Sequence, residues 1–343
     1  MRLGQNPAKM GLKAYQPKRL GMALLSYIPN QEGFFKNSLE VLKYQIASIH
    51  AATSDFDLLV FDNGSCPEVR EELHQLQISG LIHLLFISQF NIGKIGAINW
   101  ILSAMPNDWI CYADGDIFFR PGWLEKSLDI FEAFPAAGLV FAQPIFFDSL
   151  RGTGQAYHQL EADGRYHFSQ VILPAESVRE YARGIGVDEK QEKKLLETPV
   201  WVVEEKGSGV CAVLGGGHSQ FLVQRENARK IVPLPTQYAL SPIEDNSLNR
   251  RVDDLGFLQL GIVEPFIFHV GNLLDDWTRR EIDRLALKAT LVSSADRRDR
   301  SLPASASWSK KRVLHLLGWL SRLAFFDKLI RRVYNLLFEF FAK

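Results

Sequence analysis

Residues 109–120 read WICYADGDIFFR, and the rest of the chain is organised around them. Trp109 to Tyr112 suit a buried strand, which runs into Asp114-Gly115-Asp116. Two acids thus stand one residue apart at the carboxyl end of that strand. Gly115 removes bulk between them and lets the backbone turn tightly. Along an extended chain, positions i and i+2 point the same way, so both carboxylates can face one ligand. A hard divalent cation, Mg2+ or Mn2+, takes few protein carboxylates and completes its sphere with phosphate oxygens. In an open α/β sheet such a ligand sits beyond the carboxyl strand ends. An acidic triplet is also what a solvated turn looks like. Its weight comes from the strand before it and from the segments around it.

Working back from the triplet, residues 81–88 read as a strand and 91–105 as a loop opening into a helix. Residues 56–61, FDLLVF, form another strand ending in Asp62-Asn63-Gly64-Ser65, with a helix over 67–77 starting at Pro67. Residues 20–28 are the first strand, and 33–52 carry apolar residues at helical spacing. Working forward, residues 121–134 read as a helix and 137–143 as a fifth strand. This alternation predicts an α/β fold with a mostly parallel sheet covered on both faces.

Beyond residue 143 the rhythm breaks. Residues 151–210 are more polar, with a helix expected within 175–197, interrupted at Gly184-Ile185-Gly186. Extended pieces are expected near 199–204 and 210–214, then a Gly215-Gly216-Gly217-His218-Ser219 loop. A short helix is expected over 221–232, a helix over 242–255, an extended segment over 257–269 and a helix over 275–291.

Composition narrows the class. The 343 residues are 47% hydrophobic and 23% charged, an ordinary globular balance. Lysine plus arginine equals aspartate plus glutamate at 39 each, so no global charge points to nucleic acid. Cys66, Cys111 and Cys211 are scattered, which argues against a disulfide framework or zinc site and for a reducing cytosol. The first twenty residues lack the apolar core of a signal peptide, and no run of eighteen apolar residues predicts a membrane-spanning helix.

Four further segments carry chemistry. Asp62 ends the second strand, either as an Asx turn holding backbone donors or as an acceptor for a base or ribose. Gly93-Lys94 opens a helix past the third strand, either as a cap or as an anion site at the positive helix end. It is neither a P-loop nor the dinucleotide fingerprint. Asp245, beside Glu244, opens a helix, where an acid complements the dipole or takes a proton from an acceptor hydroxyl. His269 ends an apolar strand, as a structural residue or as the further ligand of a metal held by the triplet.

The order FDNGS, NIGKIGAIN, YADGDIFFRPGW, a glycine-rich loop and IEDNSLNRRV resembles the GT-A fold of family 2 glycosyltransferases over about residues 20–272. The resemblance implies a nucleotide pocket including Asp62, Gly93 and Lys94, with Asp114 at the ribose and Asp116 at a metal-bound diphosphate. It implies Asp245 as general base and His269 as the late metal ligand. It further implies a divalent metal, Mg2+ or Mn2+, and a nucleotide-diphosphate sugar donor, UDP ahead of GDP or dTDP. Transfer would go with inversion to a hydroxyl of a glycan or lipid-linked acceptor, in polysaccharide or glycolipid synthesis. No Q-x-x-R-W follows Asp245, which speaks for single rather than processive transfer. A sugar nucleotidyltransferase is the competing reading, but SYIPNQEG after the first strand lacks that class's glycine-rich basic loop. An inactive carbohydrate-binding scaffold is a third, against which the intact acids speak.

The domain expectation is an N-terminal extension over 1–19 and a transferase domain over 20–292. That domain divides into a nucleotide-binding half, 20–143, and an acceptor half, 144–292. A polar linker over 293–307 and a tail over 308–343 follow. The tail has apolar residues at helical spacing and eight basic against two acidic side chains, a net +6. Such an amphipathic basic helix suits a membrane interface. The expected location is the cytoplasmic face of the cell membrane, held peripherally. A helix packing on the domain or in a dimer is the alternative.

Overall fold

The computed structural model describes residues 15–146, 154–236 and 243–288. The expected tail over 308–343 and linker over 293–307 lie outside these. One compact unit spans Pro17–Val292. Its first part alternates as expected: β1 Leu20–Ser26, α1 Ser38–Ala52, β2 Phe56–Asp62, α2 Pro67–Ile78, β3 Leu84–Ile87, α3 Lys94–Ala104 and β4 Trp109–Asp114. A short β5, Ile117–Phe119, then α4 Trp123–Ala133 and β6 Ala137–Phe141 follow. The second part contains α5 Gly154–Ala162, β7 Tyr166–Val171, α6 Ala175–Gly184, α7 Glu189–Glu197, β8 Val200–Glu205, β9 Val210–Leu214 and β10 Gln220–Gln224. It ends with α8 Arg225–Ile231, α9 Ile243–Asp254, β11 Leu258–Ile262, β12 Ile267–His269 and α10 Asp276–Arg284.

Ten strands form one sheet in the order β3-β2-β1-β4-β10-β6-β11-β9-β8-β7. β3, β2, β1 and β4 are mutually parallel, which accounts for their continuous apolar runs. β10 inserts antiparallel between β4 and β6, β11 runs parallel to β6, and β7, β8 and β9 form an antiparallel meander. The helix expected over 221–232 is corrected here. Gln220–Gln224 is a strand, because the run QFLVQ is buried between two other strands and the helix starts only at Arg225. The meander also gains β7, which the polar composition of 151–210 concealed.

Side-chain alternation builds two cores. Met22, Leu24 and Cys111 pack with Leu42, Ile46 and Leu73 of α1 and α2. Ala23, Ile110 and Tyr112 face the other side, with Ile98 and Ile101 of α3 and Leu248 and Val252 of α9. Each such aliphatic side chain contributes about 1.5–3 kcal/mol on burial. Both layers end at the same edge, above the carboxyl ends of β1, β2 and β4. There a two-stranded ribbon, β5 with β12, pairs Ile117 with His269.

Candidate active site

Asp114 is the last residue of β4 and points, like Tyr112 two residues earlier, toward α3. Its carboxylate accepts the Tyr112 hydroxyl at 2.7 Å and the Lys94 ammonium at 2.7 Å. Its backbone is fixed as well. The Asp114 N–H donates to the Ser219 carbonyl at 2.8 Å, and the buried Gln45 amide donates to the Asp114 carbonyl at 2.6 Å. Lys94 opens α3 because Gly93, at φ 78°, takes a backbone conformation that side chains resist. Asn63, 3% exposed, ties that loop to the end of β2. Its amide donates to the Gly93 carbonyl and the Asn91 side chain, and its oxygen accepts the Ile92 N–H.

After Asp114 the chain turns instead of continuing extended. The strand alternation from which a shared direction is expected therefore does not extend to Asp116, although both acids line one cavity. Gly115 lies so close to β1 that a Cβ would stand 3.1 Å from the Leu25 carbonyl oxygen. Asp116 follows in the turn, and the β5–β12 register delivers His269 to it. The Val270 N–H donates to the Asp116 carbonyl at 2.9 Å, and the His269 Nε2 lies 2.8 Å from the Asp116 carboxylate. Burial pushes the His269 imidazole toward its neutral form, but Asp116, and Asp114 behind it, outweigh that and raise its pKa overall.

Asp114, Asp116 and His269 line one cavity of about 890 Å³, together with Ser26, Tyr27 and His218. Lys94 does not line the cavity itself but pairs with Asp114, which does. Asp116 and His269 supply one carboxylate and one imidazole. Two ligands about 2.1 Å from a metal, on adjacent octahedral vertices, lie about 3 Å apart, close to the separation seen here. This pair suits Mn2+ better than Mg2+, because imidazole is a poorer match for the harder ion. Among the described residues no cluster of three acidic, histidine or cysteine side chains forms. Phosphate oxygens and water would complete the sphere.

Asp62 is fully buried, and both its oxygens accept the Ser65 N–H at 3.3 Å. Burial pushes its carboxyl pKa up, while Ser65 and Arg70 pull it partly back. Of the two roles left open for this residue, the Asx turn is the one this geometry carries. The carboxylate offers no exposed oxygen to a base or ribose. Asp245 lies on α9, but its side chain is outside the described ones. That helix is anchored by buried Leu248 and Val252 and by the Gln259 amide, which donates to the Asn249 carbonyl at 3.0 Å.

Sequence reasoning passed over Asn63, Gln45 and Tyr112. The FDNGS turn held the signal for Asn63. Gln45 sits in a helix with nothing local to mark it.

Residues 34–184 match the family model for glycosyl transferase family 2. Asp62, Lys94, Asp114 and Asp116 lie inside that span, and Asp245 and His269 beyond it. The resemblance read from the motifs holds over those residues. An uncharacterized glycosyltransferase of Nostoc sp. is 26% identical over 129 residues, 37% of this chain and 39% of that protein. The chain thus matches well under half the length of that relative. Among solved structures, S. aureus TarS is 10% identical with TM-score 0.41, covering 73% of this chain and 59% of its own. The Pyrobaculum calidifontis mannosyltransferase PcManGT, in complex with GDP-Man and Mn2+, is 11% identical with TM-score 0.42, covering 78% and 61%. GalNAc-T7 with UDP, GalNAc and Mn2+ is 14% identical with TM-score 0.45, covering 75% and 44%.

Proposed function

We propose that the chain is a metal-assisted glycosyltransferase that moves a sugar, with inversion, from a nucleotide-diphosphate donor to a hydroxyl of a glycan or lipid-linked acceptor. The observation that carries this is the joining of Asp114, Asp116 and His269 in one cavity at the carboxyl end of β4. A bound divalent ion would offset charge on the departing diphosphate, with Asp116 and His269 holding it. Lys94 and the positive end of α3 add a second source of positive charge behind Asp114. Asp114 is oriented by Tyr112 and Lys94, which suits an acceptor for a ribose hydroxyl. Asp245 takes the proton from the acceptor hydroxyl as it attacks the anomeric carbon.

The test is a panel of UDP-, GDP- and dTDP-sugars incubated with the full chain and Mn2+, followed by release of the nucleoside diphosphate. UDP-sugars are expected to respond first. No metal-dependent release from any of them would remove the reading.

The tail over 308–343 is proposed to hold the enzyme at the cytoplasmic membrane face, near a lipid-linked acceptor. The support is its +6 charge and helical apolar spacing. Full-length protein should float with anionic vesicles at low salt and less at high salt, whereas a chain ending at Ser307 should not float. Equal flotation of both chains would reject a membrane role for the tail.

A further inference from the structure

The cavity is lined by three acids, Asp114, Asp116 and Asp275, and among the described residues by one lysine or arginine, Arg183. Arg183 lies in the last turn of α6, from the segment that sequence reading left without a role. Its neighbour Gly184 packs directly on the metal-ligand candidate. A Cβ at 184 would stand 2.5 Å from the His269 carbonyl oxygen and 2.7 Å from the His269 Cβ. Arg183 is thus one residue along α6 from the contact with His269, and it lines the same cavity as the Asp116–His269 pair. It forms an ion pair with Asp275 and lies over the Trp277 ring at 4.6 Å. The other Asp275 oxygen accepts the Thr278 N–H at 2.9 Å and caps α10. Both partners of the ion pair are partly open to the cavity, at 35% and 43% exposure.

The geometry points to Arg183 as a donor-binding residue that takes the diphosphate of a nucleotide sugar in place of Asp275. This rests on the proposed glycosyl transfer. A guanidinium fork matches phosphate oxygens two at a time, and a carboxylate that already caps a helix is an exchangeable partner. The Trp277 ring keeps the planar group oriented while its partner changes. Burial and the nearby Arg280 both lower the Arg183 pKa, and a bound anion would relieve that crowding. The diphosphate then meets positive charge from two sides, Lys94 behind Asp114 and Arg183 on α6. The leaving group is held by a residue outside the acidic triplet.

The experiment is calorimetric titration of full-length protein and variants in Mn2+ with UDP, GDP and dTDP, and with the matching monophosphates. In Arg183→Met, affinity for the diphosphate that wild type binds should fall about ten- to a hundredfold, and the monophosphate less. Arg183→Lys should fall between. Asp275→Asn keeps a cap acceptor for Thr278 and frees the guanidinium, so its diphosphate affinity should stay or rise. A purely structural Arg183–Asp275 bridge predicts instead that both variants weaken together, and that result overturns the inference. So does unchanged diphosphate affinity in Arg183→Met, or equal loss for mono- and diphosphate. Should Arg183→Met not fold, the contrast between Arg183→Lys, which should lose diphosphate affinity, and Asp275→Asn, which should not, decides. Wild type binding none of the three diphosphates would remove the donor site itself, a failure distinct from loss of the Arg183 role alone.

Discussion

The two carboxylates of the acidic triplet belong to different regions and are held in different ways. Asp114 closes the parallel half. Its partners Tyr112 and Lys94 are two and twenty residues away in sequence. Asp116 opens the ribbon, and its partner His269 is 153 residues away. The first acid is already matched to a fixed cation. The second meets an imidazole across a junction that only the folded chain creates. The parallel half therefore supplies a charge-balanced floor, and on the proposed function the later half would supply His269 toward the metal and Asp245 toward the acceptor.

The largest effect that would test this division is at Asp245, in the later half. Asp245→Asn should lower kcat about a hundred- to ten-thousandfold, with donor Kd unchanged. Near-normal turnover would move the base to Glu244 or elsewhere. Next comes the contrast within the triplet. Asp116→Asn should weaken Mn2+-dependent nucleoside diphosphate binding about a hundredfold, at or above what outer-shell partners of metal ligands cost. Lys94→Met should weaken the same binding less and leave its dependence on Mn2+ in place. Calorimetry with and without metal separates the two, and equal behaviour of both variants would erase the proposed contrast.

A smaller effect is expected within the later half, where α6 packs against β12. Gly184→Ala pushes a methyl group into the His269 backbone, and forced overpacking costs about 1–3 kcal/mol. Its thermal midpoint should drop, and its Mn2+ affinity should drop with it. A variant that loses stability but keeps full metal affinity would show that α6 does not set the position of His269.

What the sequence made legible follows the same line. The parallel half declared itself because apolar strands, turn residues and helical spacing all report on contacts made nearby. The strand end at Asp114 and the helix start at Gly93-Lys94 were legible for that reason. His269 was singled out, but the 2.8 Å contact with Asp116 depends on a β5–β12 register that no local pattern encodes. β7 and α5 were missed because half-exposed strands and polar helices carry weak periodicity. β10 was misread as helix because a short apolar run does not distinguish a buried strand from a buried helical turn. Arg183 carries no local signal, because the cavity it lines is assembled from six separate segments of the chain.

The smallest effect belongs to the far edge of the parallel half, at His83 just before β3. Its backbone N–H donates to the Leu58 carbonyl at 3.0 Å, and its ring Nδ1 accepts the Leu58 N–H at 2.8 Å. The residue thereby extends the β2–β3 ladder with its own side chain. A protonated ring cannot accept that bond. Burial lowers the His83 pKa, and the neighbouring His50 and Lys18 add to this against a pull from Asp57. A folded-state pKa below the unfolded value gives stability that is present above the ordinary histidine range near 6.5. That stability is lost as pH falls through the lowered value. The amount is a fraction of the ~1 kcal/mol worth of one hydrogen bond, because the ring is exposed to solvent. Urea midpoints at pH 5 and pH 7 should differ by less in His83→Asn than in wild type, since asparagine offers an acceptor that does not titrate. Nucleotide affinity should not change in that variant, because β3 lies at the sheet edge, beyond β2 and β1 from the triplet. An unaltered pH difference would mean the Leu58 bond carries no stability. A loss of nucleotide affinity would mean the floor of the site is less rigid than the Asn63 and Gln45 hydrogen bonds make it.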